Sequence, residues 1–245
     1  MEKGTIRQIL LITDGNSNRG QDPVTVAALA REQGITINVI GIMENNDSEA
    51  SSGLIEVEDI AQSGGGVSQL VYPASLSQTV QMVTKQGMTQ TIQGFVNKEL
   101  EAILGKNESI ESVDPKKRGE IMEVVEDMGE TCKLEVLVLI DTSASMYHKL
   151  STVKEALIDL SISLQARIGD NVFSMYQFPG KRSDIEPIMK WSPNLDEMYQ
   201  TFPKLASGGI TPTGPALQEA MYQFGKNHVV RSLRRSGTQS EEEFL

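Results

Sequence analysis

The chain is short of the residues that most often build covalent or metal scaffolds. It has one cysteine, Cys132, in 245 residues. No intrachain disulfide can form, which fits a reducing compartment and sets the expectation of a cytoplasmic protein. Histidine is nearly as scarce: His148 and His228 lie far apart in the sequence, which argues against a zinc site. No apolar run approaches the roughly 20 residues of a membrane span. The opening Met1-Glu2-Lys3-Gly4-Thr5 lacks the apolar stretch of a secretion signal, so no membrane partner is expected. Positive charge is in deficit, with 22 Lys and Arg against 33 Asp and Glu and a net charge of -11. No basic stripe remains to neutralise phosphates, which argues against nucleic acid as a main partner. The chain also lacks a Gly-x-Ser-x-Gly elbow, a Cys–His pair motif and a Walker loop. Gly64-Gly65-Gly66 follows a predicted helix and precedes a predicted strand, the wrong order for a phosphate loop.

What is present is the composition of an ordinary soluble domain, 39% hydrophobic and 22% charged. Two stretches alternate strands with helices. The first covers 5–87. An apolar strand through Ile6, Ile9, Leu10, Leu11 and Ile12 ends in Thr13-Asp14-Gly15. Asp22-Pro23 predicts a helix start, with Asp22 as cap and proline in the first turn, and Gly34 is its stop. A strand over 35–42, a polar acidic loop over 44–52, a short helix over 55–62 and a strand over 67–72 follow. Ser75-Leu76-Ser77-Gln78 resembles a capping box, and its helix is expected to end near Gly87.

The second alternating stretch covers 133–230. Leu134-Glu-Val-Leu-Val-Leu-Ile140 is a strand buried on both faces, and it ends in Asp141-Thr142-Ser143-Ala144-Ser145. Ser151 is expected to cap a helix bearing Leu157, Leu160, Leu164 and Ile168. A strand over 172–178 turns through Pro179-Gly180 into an antiparallel partner over 185–191. A helix over 195–205, the loop Gly208-Gly-Ile-Thr211-Pro-Thr-Gly214 and a helix from Pro215 complete it. Thr213 and Gly214 are expected to cap that last helix. Residues 231–245 form a polar tail expected to fray.

Residues 88–132 join the two stretches. Their apolar spacing predicts two amphipathic helices, the second starting at Asp114-Pro115. Ten acidic and five basic side chains lie between Lys98 and Glu130. Helices laid on the domain surface with solvated outer faces explain this pattern better than a partner-docking arm.

Neither alternating stretch closes a sheet alone, because each would leave a long apolar edge strand open. Joined, they predict one α/β domain: a doubly wound, mostly parallel six-stranded sheet with one antiparallel edge strand and helices on both faces. The strands ending at Asp14 and Asp141 then become central neighbours at the switch point, where ligand sites of open sheets lie. Oxygen-only side chains there suit a hard cation such as Mg²⁺ or Mn²⁺.

Asp141-x-Ser143-x-Ser145, the Thr211 loop and Ile12-Thr13-Asp14-Gly15 together resemble the von Willebrand factor A (VWA) domain and its metal-ion-dependent adhesion site (MIDAS). Residues 133–230 look like the first half of that domain and 5–87 like its second half. This reversed order is similar to that of circularly permuted, Bacillus-type VWA proteins. Chain termini of compact domains often lie close together, so such a rearrangement is physically tolerable. The resemblance implies direct cation contacts from Ser143, Ser145 and Thr211, and water-mediated contacts from Asp141 and Asp14. It implies a protein partner that presents an Asp or Glu to the metal, bound by a monomer or by a domain-swapped dimer. Two other classes stay open. A Mg²⁺-dependent phosphoryl-transfer enzyme would want a second Asp two residues after Asp141, where Ser143 stands. A metal-free scaffold would not respond to divalent cations. Met146, Tyr147 and His148 are candidates for the rim of the site, with Met146 better explained by packing.

Overall fold

A computed structural model describes residues 4–15, 17–43, 50–104, 109–194 and 209–225. Its centre is a six-stranded sheet in the order β3-β2-β1-β4-β5-β6. The strands are β1 (Thr5–Thr13), β2 (Ile35–Ile42), β3 (Gly65–Val71), β4 (Lys133–Asp141), β5 (Asn171–Phe178) and β6 (Glu186–Ser192). All neighbours run parallel except β5 and β6. The chain enters at the centre with β1 and steps outward to β3. It then returns to the centre with β4 and steps outward to the other edge. Residues 5–13 and 133–141 therefore lie side by side, Ile12 opposite Ile140. This is the expected doubly wound fold, antiparallel edge included.

The helices are α1 (Pro23–Glu32), α2 (Ala50–Ser63), α3 (Leu76–Leu104), α4 (Pro115–Thr131), α5 (Leu150–Gln165) and α6 (213–225). Apolar side chains of α3, α4 and α5 cover one face of the sheet. Those of α1, α2 and α6 cover the other. The central strands are buried on both sides, which is why β4 is almost wholly apolar from Leu134 to Ile140; its one charged residue there, buried Glu135, accepts from the Lys133 ammonium. Among the described residues, no helix is long and apolar enough to cross a membrane.

Asp22 caps α1 by accepting from the backbone N–H groups of Val24 and Thr25, and Pro23 fills the first turn. Asp114 caps α4 in the same way through Lys116. Other helix ends differ from expectation. Helix α3 does not stop at Gly87 but runs 29 residues, so the first half of the 88–132 connector continues the helix that begins at Leu76. Gly87 is there for close approach: a Cβ at this position would meet the Asn38 side-chain amide at 2.5 Å. Asn38, on β2, donates to Gln8 and accepts from the Val67 N–H. It thereby fills in for a ladder bond where the β2–β3 register shifts. Beyond Gly87 the helix still packs on the sheet, with Met88 and Ile92 buried and the Thr91 hydroxyl 2.9 Å from that of Thr36.

The capping box at Ser75 is absent, because Ser75 closes a 3-10 turn (Pro73–Ser75) that leads straight into α3. Ser151 does not cap α5 either. The capping position is Lys149, without a side-chain cap bond, and Ser151 lies inside the first turn. Helix α2 begins at Ala50, earlier than expected, and α6 begins at 213, so Thr213 and Gly214 belong to its first turn. The expected helix over 195–205 and the tail over 231–245 lie outside the described residues.

Candidate functional site

The site lies at the C-terminal edge of the sheet, between β1 and β4. Asp141 ends β4 and is fully buried. Its Oδ1 accepts from the Ser143 N–H at 2.8 Å, and its Oδ2 accepts from the Thr13 hydroxyl at 2.7 Å. Thr13 is the last residue of β1, so this bond ties the two halves of the chain across the crevice. Burial pushes the Asp141 carboxyl up to about 6 from an ordinary 3.8, the neighbouring charge of Asp14 adds to the rise, and these hydrogen bonds pull the other way.

Asp14 follows Thr13 and is half-buried. Its Oδ2 accepts from the Lys149 Nζ at 2.8 Å, with the two side chains 11% and 5% exposed. The Ser143 and Ser145 hydroxyls stand 3.2 Å apart. Ser143 is buried and Ser145 exposed, so the pair faces from the protein interior toward solvent. Thr142 is drawn away from the crevice and donates to the Phe178 carbonyl through both its N–H and its hydroxyl.

Thr211 is bonded through its backbone to the loop that follows Asp14. Its N–H donates to the Asn18 side chain at 3.0 Å, and its carbonyl accepts from the Asn18 N–H at 3.1 Å. The start of α6 presses on this loop: a Cβ on Gly214 would lie 1.8 Å from the Gln21 carbonyl oxygen. On the other side Ser17 N–H donates to the Glu56 carboxylate of α2. The loop is thus held from both flanks.

The structure brings Asp14, Asp141, Ser143 and Ser145 to one crevice, and the Asn18 bonds set the Thr211 backbone against the loop that follows Asp14. Met146 is buried in the core, as packing demands. Tyr147 is 60% exposed and meets His148 edge to face, 5.0 Å between ring centres. Sequence reasoning missed Lys149, Thr13 and Asn18 as site residues. A lysine one residue before an amphipathic helix carries no sign of burial. Its partner Asp14 is 135 positions away. Among the described residues no three His, Cys, Asp or Glu side chains gather as a metal cluster, so an ion here would draw on hydroxyl oxygens beside the carboxylates.

Residues 1–93 match the von Willebrand factor type A domain. That stretch holds Asp14, while Asp141, Ser143, Ser145 and Thr211 lie beyond it. Together with this match, the six-stranded, mostly parallel sheet is consistent with a VWA-type α/β fold. The chain is 58% identical to the uncharacterized protein YabS of Bacillus subtilis over 244 residues, covering 100% of this chain and 98% of that one, and it belongs to the YabS family. The crystal structure of an uncharacterized protein from Alicyclobacillus acidocaldarius is similar throughout, with 40% identity, a TM-score of 0.80, and coverage of 94% of this chain and 97% of that one. A mussel byssus protein, proximal thread matrix protein 1, solved with a zinc-occupied MIDAS motif, aligns at 15% identity and a TM-score of 0.29 over 88% of this chain and 46% of that one, too remote to bear on this chain.

Proposed function

We propose that the protein is a cytoplasmic, non-catalytic protein-binding module that engages an acidic side chain of its partner through a divalent cation, Mg²⁺ or Mn²⁺. The observation that carries this reading is Asp141: a carboxylate with no exposed surface, placed beside the like charge of Asp14 at the switch point between β1 and β4. Burying such a group is costly unless a counter-charge belongs beside it. The donor set fits a small hard ion. Oxygens on neighbouring corners of an octahedron with bonds of about 2.0–2.1 Å lie about 3 Å apart, close to the 3.2 Å between the Ser143 and Ser145 hydroxyls.

In this reading Ser143, Ser145 and Thr211 hold the cation through neutral oxygens, and Asp141 and Asp14 through water. Bound this way, the cation supplies a Lewis-acidic position whose water a partner's Asp or Glu can replace. Thr13 and the Ser143 N–H keep Asp141 oriented. Asn18 and Gly214 set the height of the Thr211 loop. The phosphoryl-transfer alternative is not favoured, because Ser143, not an acid, follows Asp141 by two residues.

We further propose that the domain is circularly permuted, with 133–230 as its first half, 5–87 as its second, and α3 and α4 supplying the new link. The order of motifs supports this, as does the way each half builds from the sheet centre outward.

Thermal unfolding with and without Mg²⁺ or Mn²⁺ tests the function. Saturating cation should raise the Tm by about 3–8 °C. Asp141→Ala and Thr211→Ala should abolish the rise, and a generic phosphoester should not turn over. A parent that ignores both ions, or variants that respond as the parent does, would show the reading to be wrong.

A further inference from the structure

We propose that Lys149 is a built-in counter-cation that sets the charge of this crevice, holding divalent-ion affinity down so that a bound ion keeps a net pull on the partner's carboxylate. The inference rests on the cation-binding reading above and adds a residue that the motif does not include. The Lys149 ammonium is almost fully buried and donates to one oxygen of Asp14 at 2.8 Å. Lysine is seldom buried without a partner, and its stem must be held for its head to arrive there. Its backbone is locked in place: its N–H donates to the Met146 carbonyl, and its own carbonyl accepts from Val153 in the first turn of α5. The side chain is therefore aimed from the α5 half of the chain onto the carboxylate of the β1 half.

The charges can be counted. With Asp14 and Asp141 ionised, Lys149 leaves the crevice at about -1, and a divalent ion brings it to about +1. Without the lysine the crevice starts at about -2, and the same ion only neutralises it. Lys149 thus trades ion affinity for attraction toward an incoming anion. Its bond to Oδ2 leaves the other Asp14 oxygen for a water-mediated contact.

A merely structural lysine predicts something else. A buried ion pair that only staples two halves together costs stability when one partner is removed, without moving the two affinities in opposite directions. The test uses the full chain and two probes: Mn²⁺ alone, followed by electron paramagnetic resonance, and acetate, followed by the loss of water relaxivity from bound Mn²⁺. Lys149→Met should bind Mn²⁺ about tenfold more tightly and acetate about threefold more weakly. Lys149→Arg, which keeps the charge, should stay within about threefold of the parent for both. If the methionine variant does not fold, Lys149→Gln, which keeps a donor for Asp14, should show the same opposed shifts. Unchanged Mn²⁺ affinity, or two affinities moving the same way, would overturn the role of Lys149 while leaving the cation site standing. A parent that binds no Mn²⁺ would overturn both.

Discussion

Asp141 concentrates the cost of the site in one residue. Its carboxyl keeps its proton in the folded chain up to about pH 6, against 3.8 for an ordinary aspartate, chiefly because burial penalises the charged form. The folded state therefore binds more protons than the unfolded state between those values. This group supports folding below about pH 4, and that support is lost as the pH rises through about 6. In EDTA at pH 7, Asp141→Asn should raise stability by about 1–3 kcal/mol and flatten the slope between pH 4 and 6. Denaturant unfolding at several pH values measures it. A variant that is less stable than the parent at pH 7 without metal would mean that Asp141 is held by something other than its prospective cation. Asp14, Asp141, Ser143 and Ser145 could be picked out of the sequence because they follow apolar strands. Lys149 could not. Its burial depends on a partner half a chain away, and no local pattern encodes that.

Among the elements, strands were easier to read than helix ends. Runs such as Leu134–Ile140, apolar but for Glu135, leave little choice, since a strand covered on both faces is nearly all apolar. Helix stops rest on single residues whose meaning is tertiary. Gly87 has the look of a terminator, yet it exists so that α3 can pass Asn38 at close range. Missing this split one 29-residue helix into two pieces. Ser75 and Ser151 failed as caps for a similar reason, because a preceding 3-10 turn or lysine already set the entry geometry. The link itself invites a test of the permuted order. Helix α6 starts at the site edge, and its 13 residues carry the chain about 20 Å toward the edge where β1 begins. A chain opened between 104 and 109, with residue 245 joined to residue 1 by a short flexible linker, should fold with a Tm within about 5 °C of the parent. It should also keep its response to Mg²⁺. Failure to fold, or loss of the cation response, would count against the α3–α4 connection being only a covalent link between the halves.

At the scale of the whole molecule, the sheet order followed from one physical demand: two half-sheets with bare apolar edges are more stable as one sheet. Pairing β1 with β4 satisfies it and places Asp14 against Asp141 with no further adjustment. The same demand would be met by a swapped dimer, which is why sequence alone left the choice open. The switch point between β1 and β4 is then both the seam of the fold and the place of the proposed cation site. Crystals grown with Mn²⁺ and measured at the manganese absorption edge test this contact most directly. The account predicts one anomalous peak bounded by the hydroxyls of Ser143, Ser145 and Thr211 and flanked by Asp14 and Asp141 of the same chain; an ordered crevice with no peak, or manganese bound only elsewhere, would contradict it.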